Sequence, residues 1–194
     1  GKTIGVVGTG NIGKHVIRIA KGFEMDVIAF DAFPNEELAK ELGFSYKPFD
    51  ELLKVSDVIT FHCPYTQDTH HLINMKNISL LKKDAIIINT ARGGILDTEA
   101  LLFGLEQKTI GAIGLDVLEE ECEILEDTQL KSKKFPKTCD IRLILENHEL
   151  AKHSNVIITP HNAFNSKEAL QRILDTTLEN IEHFSEDKIV NQVK

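Results

Sequence analysis

Arg92, an acid of the run Glu119–Glu121, and His161 are the side chains of this sequence whose types could share one reaction. An arginine grips a carboxylate through two parallel hydrogen bonds. A histidine titrates near neutral pH and can pass a proton. A carboxylate beside it favours the imidazolium form and fixes the ring. Together they suit reduction of a 2-oxo acid. Arg92 would hold the substrate carboxylate and polarise the ketone, and His161 would protonate its oxygen as hydride reaches carbon. The hydride itself must come from a cofactor. Residue types alone do not choose among the acids, because Glu119, Glu120, Glu121 and Glu123 form a run of the kind that is usually a solvated face. Among the eight histidines, the pair Pro160-His161 at the end of an apolar run singles out His161. His71 reads as structural, and His15, His148, His153 and His183 fall on helical patterns.

A cofactor stretch is present at the start of the chain. Ile4–Val7 is a short apolar run that leads into Gly8-Thr9-Gly10-Asn11-Ile12-Gly13. A helical pattern follows, then the apolar run Val27–Phe30 and the acid Asp31. Strand, glycine turn, helix, strand and carboxylate is the order of a dinucleotide site. Gly8 allows the tight turn, Gly10 lets a pyrophosphate approach, and Gly13 lets the helix pack on the sheet. The helix start offers N–H groups and a positive dipole end to phosphates. Asp31 can accept hydrogen bonds from ribose hydroxyls and repels a 2′-phosphate, which favours NAD over NADP.

The elements that must position these groups alternate. Apolar runs at Val58–Phe61, Ala85–Asn89, Ile113–Val117 and Val156–Thr159 read as strands, with a short one at Phe44–Tyr46. Ala85–Asn89 lacks alternation, which suits a parallel strand buried on both faces. Helices are expected at Glu36–Leu42, closed by Gly43, at Phe49–Val55, at Met75–Leu81, and at Thr98–Leu105 behind an Asp97 cap. Two more are expected at Ile141–Lys152 and Ser166–Phe184. The economical fold is an α/β, Rossmann-type, doubly wound parallel sheet. Arg92, the acids and His161 then all follow strand ends, on the rim where such sheets bind ligands.

Composition narrows the classes. The chain has 194 residues, 42% of them hydrophobic, and a net charge of −8 with no basic stripe. Nucleic acid and anionic membrane are therefore unexpected partners. No apolar run has the length of a membrane span. Cys63, Cys122 and Cys139 lack metal-ligand spacing, so no metal site is expected, and their sparseness suggests a reducing, cytoplasmic setting. The start Gly1-Lys2-Thr3, without Met, reads as the interior of a longer protein.

At these residues the chain resembles the D-isomer-specific 2-hydroxyacid dehydrogenases. The pieces VVGTGNIGK, NTARGGILDTEALL, GLDVLEEE and NVIITPHNAF occur in that order. The resemblance covers nearly the whole chain, but only the cofactor domain of the family. It implies that Arg92, Glu121 and His161 are the catalytic arginine, acid and histidine. It implies NAD lined by Asn11, Ile12, Asp31, Cys63, Pro64, Thr69, Thr90, Ala91 and Asp116, with Asp116 near the nicotinamide carboxamide. Phe164 would neighbour the substrate. The long stretch after Glu121 and the TPHNAF ending look most like the D-lactate dehydrogenase branch, although Asn165-Ser166 departs from the residues often found there.

The organisation so implied is an NAD-binding domain over residues 1–184, with an insertion at 122–155 and a tail at 185–194. The family's substrate domain, built largely from a segment before the glycine motif, is expected to be absent, and the piece alone to turn over poorly. The resemblance also implies a homodimer formed through the cofactor domain and a small 2-oxo or 2-hydroxy acid as substrate. The alternative is a non-enzymatic NAD(H)-sensing, corepressor-like module.

Overall fold

The computed structural model describes residues 1–119 and 140–191. Glu121, Cys122 and Cys139 lie outside the described residues. The chain divides into two compact units, Gly1–Pro160 and His161–Lys194.

The first unit is built on a seven-stranded sheet, parallel at every pairing. In chain order its elements are β1 (Thr3–Val7), α1 (Gly13–Gly22), β2 (Asp26–Phe30), α2 (Glu36–Leu42), β3 (Ser45–Tyr46), α3 (Phe49–Val55) and β4 (Val58–Phe61). Then come β5 (Ala85–Asn89), α4 (Thr98–Glu106), β6 (Ile110–Leu115), α5 (Ile141–Lys152) and β7 (Val156–Ile158). The strands lie in the order β3-β2-β1-β4-β5-β6-β7. The chain winds outward from β1 to β3, then returns to β4 beside β1 and winds the other way. The expected doubly wound α/β sheet is present, and its switch point falls between β1 and β4. There the connections leave in opposite directions and open a crevice.

Local chemistry sets the helix ends. Asn35 accepts from the Leu38 N–H at 3.0 Å and starts α2, and Gly43 ends it at φ 67°, a left-handed conformation that costs glycine little. Asp97 accepts from the Glu99 and Ala100 N–H groups and starts α4 as expected.

The core lies on both faces of the sheet. On one face Leu52, Leu53, Ile59, Phe61, Ile87, Leu101 and Leu150 are among the residues buried together under α3, α4 and α5. On the other, Ile17 and Ala20 of α1 cover Ile4, Val6, Val27 and Ala29. Each large side chain taken fully out of water contributes about 1.5–3 kcal/mol.

Three expectations change. Met75–Leu81 is not a helix but a single tight turn at Ile78–Leu80. Asn77 Oδ1 accepts from the Asn74 N–H, Asn74 Oδ1 accepts from the Lys76 N–H, and Asn77 Nδ2 donates to the Leu72 carbonyl. These side chains offer the backbone an alternative to the helix. The sixth strand starts at Ile110 and ends at Leu115, because Ala85 pairs with Ile110 across a bulge. Asp116 and Val117 therefore stand beyond the strand, on the rim. Ala85–Asn89 is buried on one face rather than two: Ile86 is 39% exposed and shares the α1 face, and α1 packs on β1 and β2.

The second unit carries α6 (Lys167–Ser185), opened by Ser166, whose hydroxyl accepts from the Ala169 N–H. None of its residues is buried. No helix among the described residues is long and apolar enough to cross a membrane.

Candidate functional site

The glycine turn sits at the switch point. Gly8, at φ 93°, lies against the start of the β4 loop, and a Cβ there would come within 2.7 Å of the Cys63 nitrogen. A Cβ on Gly13 would come within 1.9 Å of the Gly8 carbonyl oxygen. The fold itself forces both glycines. Gly10 differs, since a Cβ there would meet nothing within 4 Å. The protein gives no steric reason for glycine at that position, whereas a pyrophosphate seated on the turn would. Gly10, Asn11 and Ile12 are exposed at the start of α1, and the first turn of that helix holds no acid to compete with an anion.

Asp31 follows β2 and is held firmly. Its Oδ2 accepts from the Thr9 N–H at 2.7 Å and from the Thr9 hydroxyl at 2.9 Å, and its Oδ1 accepts from the Phe33 N–H at 2.9 Å. Partial burial pushes the Asp31 carboxyl up, but these hydrogen bonds outweigh it and leave it below its ordinary value. The acid is charged at neutral pH, as a group that accepts from ribose hydroxyls and repels a 2′-phosphate must be. Tyr46 joins the cluster through the Thr9 hydroxyl, 2.8 Å away. Neither Tyr46 nor Thr9 stood out in the sequence.

Across the crevice, burial, and to a smaller extent the Asp31 charge, push the Cys63 thiol up to about 11. It is a protonated, half-buried contact rather than a nucleophile. Pro64 and Thr69 shape the same loop: the Thr69 hydroxyl donates to the Pro64 carbonyl and accepts from the Thr66 N–H, both at 2.7 Å.

The loop after β5 is fixed from below by Asn89, which is fully buried. Its Nδ2 donates to the Arg92 carbonyl at 2.9 Å, and its Oδ1 accepts from the Ala91 N–H at 3.0 Å. Thr90 and Arg92 are exposed on this loop, and Arg92 Nη1 donates to the Ala91 carbonyl at 2.7 Å. Gly93 lets the loop cross Leu118, whose carbonyl oxygen would lie 1.8 Å from a Cβ. Asp116 is buried at the end of β6 and accepts from the Thr159 hydroxyl, which follows β7.

Glu119 proves to be a structural acid. Its Oε2 accepts from the Thr98 N–H at 3.1 Å and hydroxyl at 3.0 Å, at the start of α4, and its Oε1 pairs with His71 Nε2. Asn147 of α5 donates to its carbonyl at 3.1 Å. The acidic run therefore does not begin as a solvated face, and His71 is structural as expected. No local signal in the sequence marks Glu119, because its partners Thr98 and His71 lie 21 and 48 residues away in the chain.

His161 opens the second unit at φ 48°, a region that histidine tolerates better than most residues. Phe164, three residues on, is 53% exposed. The sheet thus gathers Gly8–Gly13, Asp31, Cys63, Thr90–Arg92 and Asp116 at the carboxyl ends of its strands. Among the described residues, no group of histidine, cysteine and acidic side chains could hold a metal ion.

Comparison with known proteins agrees with this fold. Residues 1–163 match the family described as "D-isomer specific 2-hydroxyacid dehydrogenase, NAD binding domain". The chain is 40% identical over 193 residues to a 2-hydroxyacid dehydrogenase homolog of Haemophilus influenzae, with 100% of this chain and 56% of the relative covered. It is 39% identical over 181 residues to D-lactate dehydrogenase of Escherichia coli, covering 93% of this chain and 52% of that protein. A crystal structure of D-lactate dehydrogenase from Aquifex aeolicus, complexed with NAD and lactic acid, superposes with a TM-score of 0.84 at 42% identity. That match covers 96% of this chain and 54% of the other. The chain spans about half the length of these relatives. It belongs to the D-isomer specific 2-hydroxyacid dehydrogenases and matches their NAD-binding domain.

Proposed function

We propose that the protein to which this chain belongs is an NAD-dependent oxidoreductase interconverting a 2-oxo acid and a D-2-hydroxy acid, most like D-lactate dehydrogenase. The observation that carries the cofactor half is Gly10: open space on the turn, beside a charged Asp31, at the switch point of the sheet. The turn from Gly8 to Gly13 would hold the pyrophosphate, Asp31 the adenosine ribose, and Cys63, Pro64 and Thr69 the far wall. Thr90, Ala91 and Asp116 would line the nicotinamide end. NADH, when bound, supplies the hydride.

The chain's own groups would do the rest. Arg92, exposed on a loop anchored by Asn89, would grip the substrate carboxylate and polarise the ketone. His161 would give a proton to the ketone oxygen in reduction and take it back in oxidation. Glu121 would orient that imidazole. The commitment of both Glu119 oxygens to Thr98 and His71 supports Glu121 over Glu119 for this role. The D-lactate-like assignment is supported by the D-lactate dehydrogenases among the relatives. The corepressor-like alternative finds no support among the relatives reported, which are named for dehydrogenase chemistry.

A cytoplasmic homodimer belongs to the same proposal. It is supported by the free thiol at Cys63 and by the exposed Ile19 of α1 and Phe23 just after that helix, and sedimentation analysis tests the dimer. The test of function is pyruvate-dependent oxidation of NADH by the full-length protein, with chiral analysis of the product. D-lactate is expected, with activity lost in His161→Ala while NADH binding persists. L-lactate, or a His161→Ala variant of undiminished rate, would remove the proposal.

A further inference from the structure

With Asp31 read as the ribose-binding acid, Tyr46 stands one hydrogen bond behind it, through Thr9. Tyr46 ends the two-residue strand β3. Its ring packs edge-on against Phe44, with centroids 5.1 Å apart. Its hydroxyl lies 2.8 Å from Thr9 Oγ1 and accepts from the Asn35 N–H at 3.1 Å. The direction of these bonds follows from Asp31. An ionised carboxylate only accepts, so the single hydroxyl proton of Thr9 goes to Asp31 Oδ2. Thr9 Oγ1 must then accept from Tyr46, whose own oxygen accepts from Asn35. The chain of donors runs one way, from the Asn35 N–H through Tyr46 and Thr9 to Asp31, and each bond polarises the next.

We propose that Tyr46 is a positioning residue of the cofactor site, acting through Thr9 to fix the Asp31 carboxylate for a ribose with a free 2′-hydroxyl and against a 2′-phosphate. Asp31 Oδ2 is filled by its two bonds from Thr9. Oδ1 receives one bond from Phe33, and since a carboxylate offers about four acceptor sites, the remaining one lies on Oδ1. The network therefore assigns the ribose to Oδ1. A purely structural role for Tyr46, tying β3 to the start of α2 through Asn35, would leave cofactor choice untouched.

Tyr46→Phe keeps the ring and its contact with Phe44 and removes only the hydroxyl. Fluorescence titration of this chain with NADH, and in parallel with NADPH, reads the effect. Tyr46→Phe should weaken NADH binding about three- to tenfold, the worth of a single hydrogen bond, and narrow the preference for NADH. In a Thr9→Val background the same change should add less than about twofold, because its route runs through Thr9. Thr9→Ser keeps the donor chain and should keep the preference, whether or not Tyr46→Phe folds. A Tyr46→Phe protein with a lowered melting temperature but unchanged NADH affinity and preference would overturn the inference. So would a Thr9→Ser protein as impaired as Thr9→Val. A wild-type chain with no preference for NADH would overturn the reading of Asp31 itself, and this inference with it.

Discussion

Gly8 lies so close to Cys63 that a Cβ on the glycine would stand 2.7 Å from the cysteine nitrogen. The turn after β1 and the loop after β4 are thus packed backbone to backbone at the switch point. This contact locates the crevice, and it makes Gly8 a glycine that the fold itself needs.

Gly13→Ala should destabilise the protein by at least about 2 kcal/mol, because its Cβ would collide with the Gly8 carbonyl. Gly10→Ala should melt within a few degrees of wild type yet bind NADH much more weakly. Thermal melts and NADH titration of both variants check this. A Gly10→Ala protein that binds normally would show that nothing seats on the turn.

Asp31→Ser removes the charge and shortens the side chain. NADH affinity should fall about tenfold or more, since charged hydrogen bonds contribute about 1.5–3 kcal/mol, and NADPH should lose its disadvantage. Parallel titrations with the two cofactors measure the ratio. An unchanged ratio would place the discrimination elsewhere.

Asn89 is buried beneath the Arg92 loop and bonds both Ala91 and Arg92. Asn89→Ala should cost about 1–3 kcal/mol and loosen that loop. In the full-length enzyme KM for the oxo acid should rise more than KM for NADH. Denaturant melts and steady-state kinetics give the two numbers. A selective loss of NADH affinity would argue against Arg92 as the carboxylate grip.

Burial pushes His62 down to about 4 from an ordinary value near 6.5. The folded state thus binds fewer protons than the unfolded chain between those values, and stability rises with pH there. It should be fully present above about 6.5 and decline by several degrees of melting temperature as pH falls toward about 4. His62→Gln should flatten this decline. Melts across that range decide it, and a variant with the same slope would assign the acid sensitivity to other groups.

Much of this was legible in the sequence because it rests on local pattern. The glycine turn, the Asp97 cap and the Gly43 stop each depend on residues a few positions apart. Tyr46, Asn89 and Glu119 were not read as site-building residues for a physical reason. Tyr46 reaches Thr9, and Glu119 reaches Thr98 and His71, only after the sheet has brought distant segments together. Asn89 looked like the end of an apolar strand, and nothing in its neighbours announces that its amide spans the next loop. The expected helix at Met75–Leu81 failed because Asn74 and Asn77 bond the backbone more strongly than an apolar period suggests. Arg92, Glu121 and His161 stand out by residue chemistry and motif rather than by packing.

The most direct test is equilibrium titration of this chain with NADH, followed by the nicotinamide fluorescence, beside the same titration with NADPH. Saturable, one-to-one NADH binding is expected, with NADPH at least about tenfold weaker because Asp31 repels its 2′-phosphate. No saturable NADH binding, or equal affinity for the two, would contradict it.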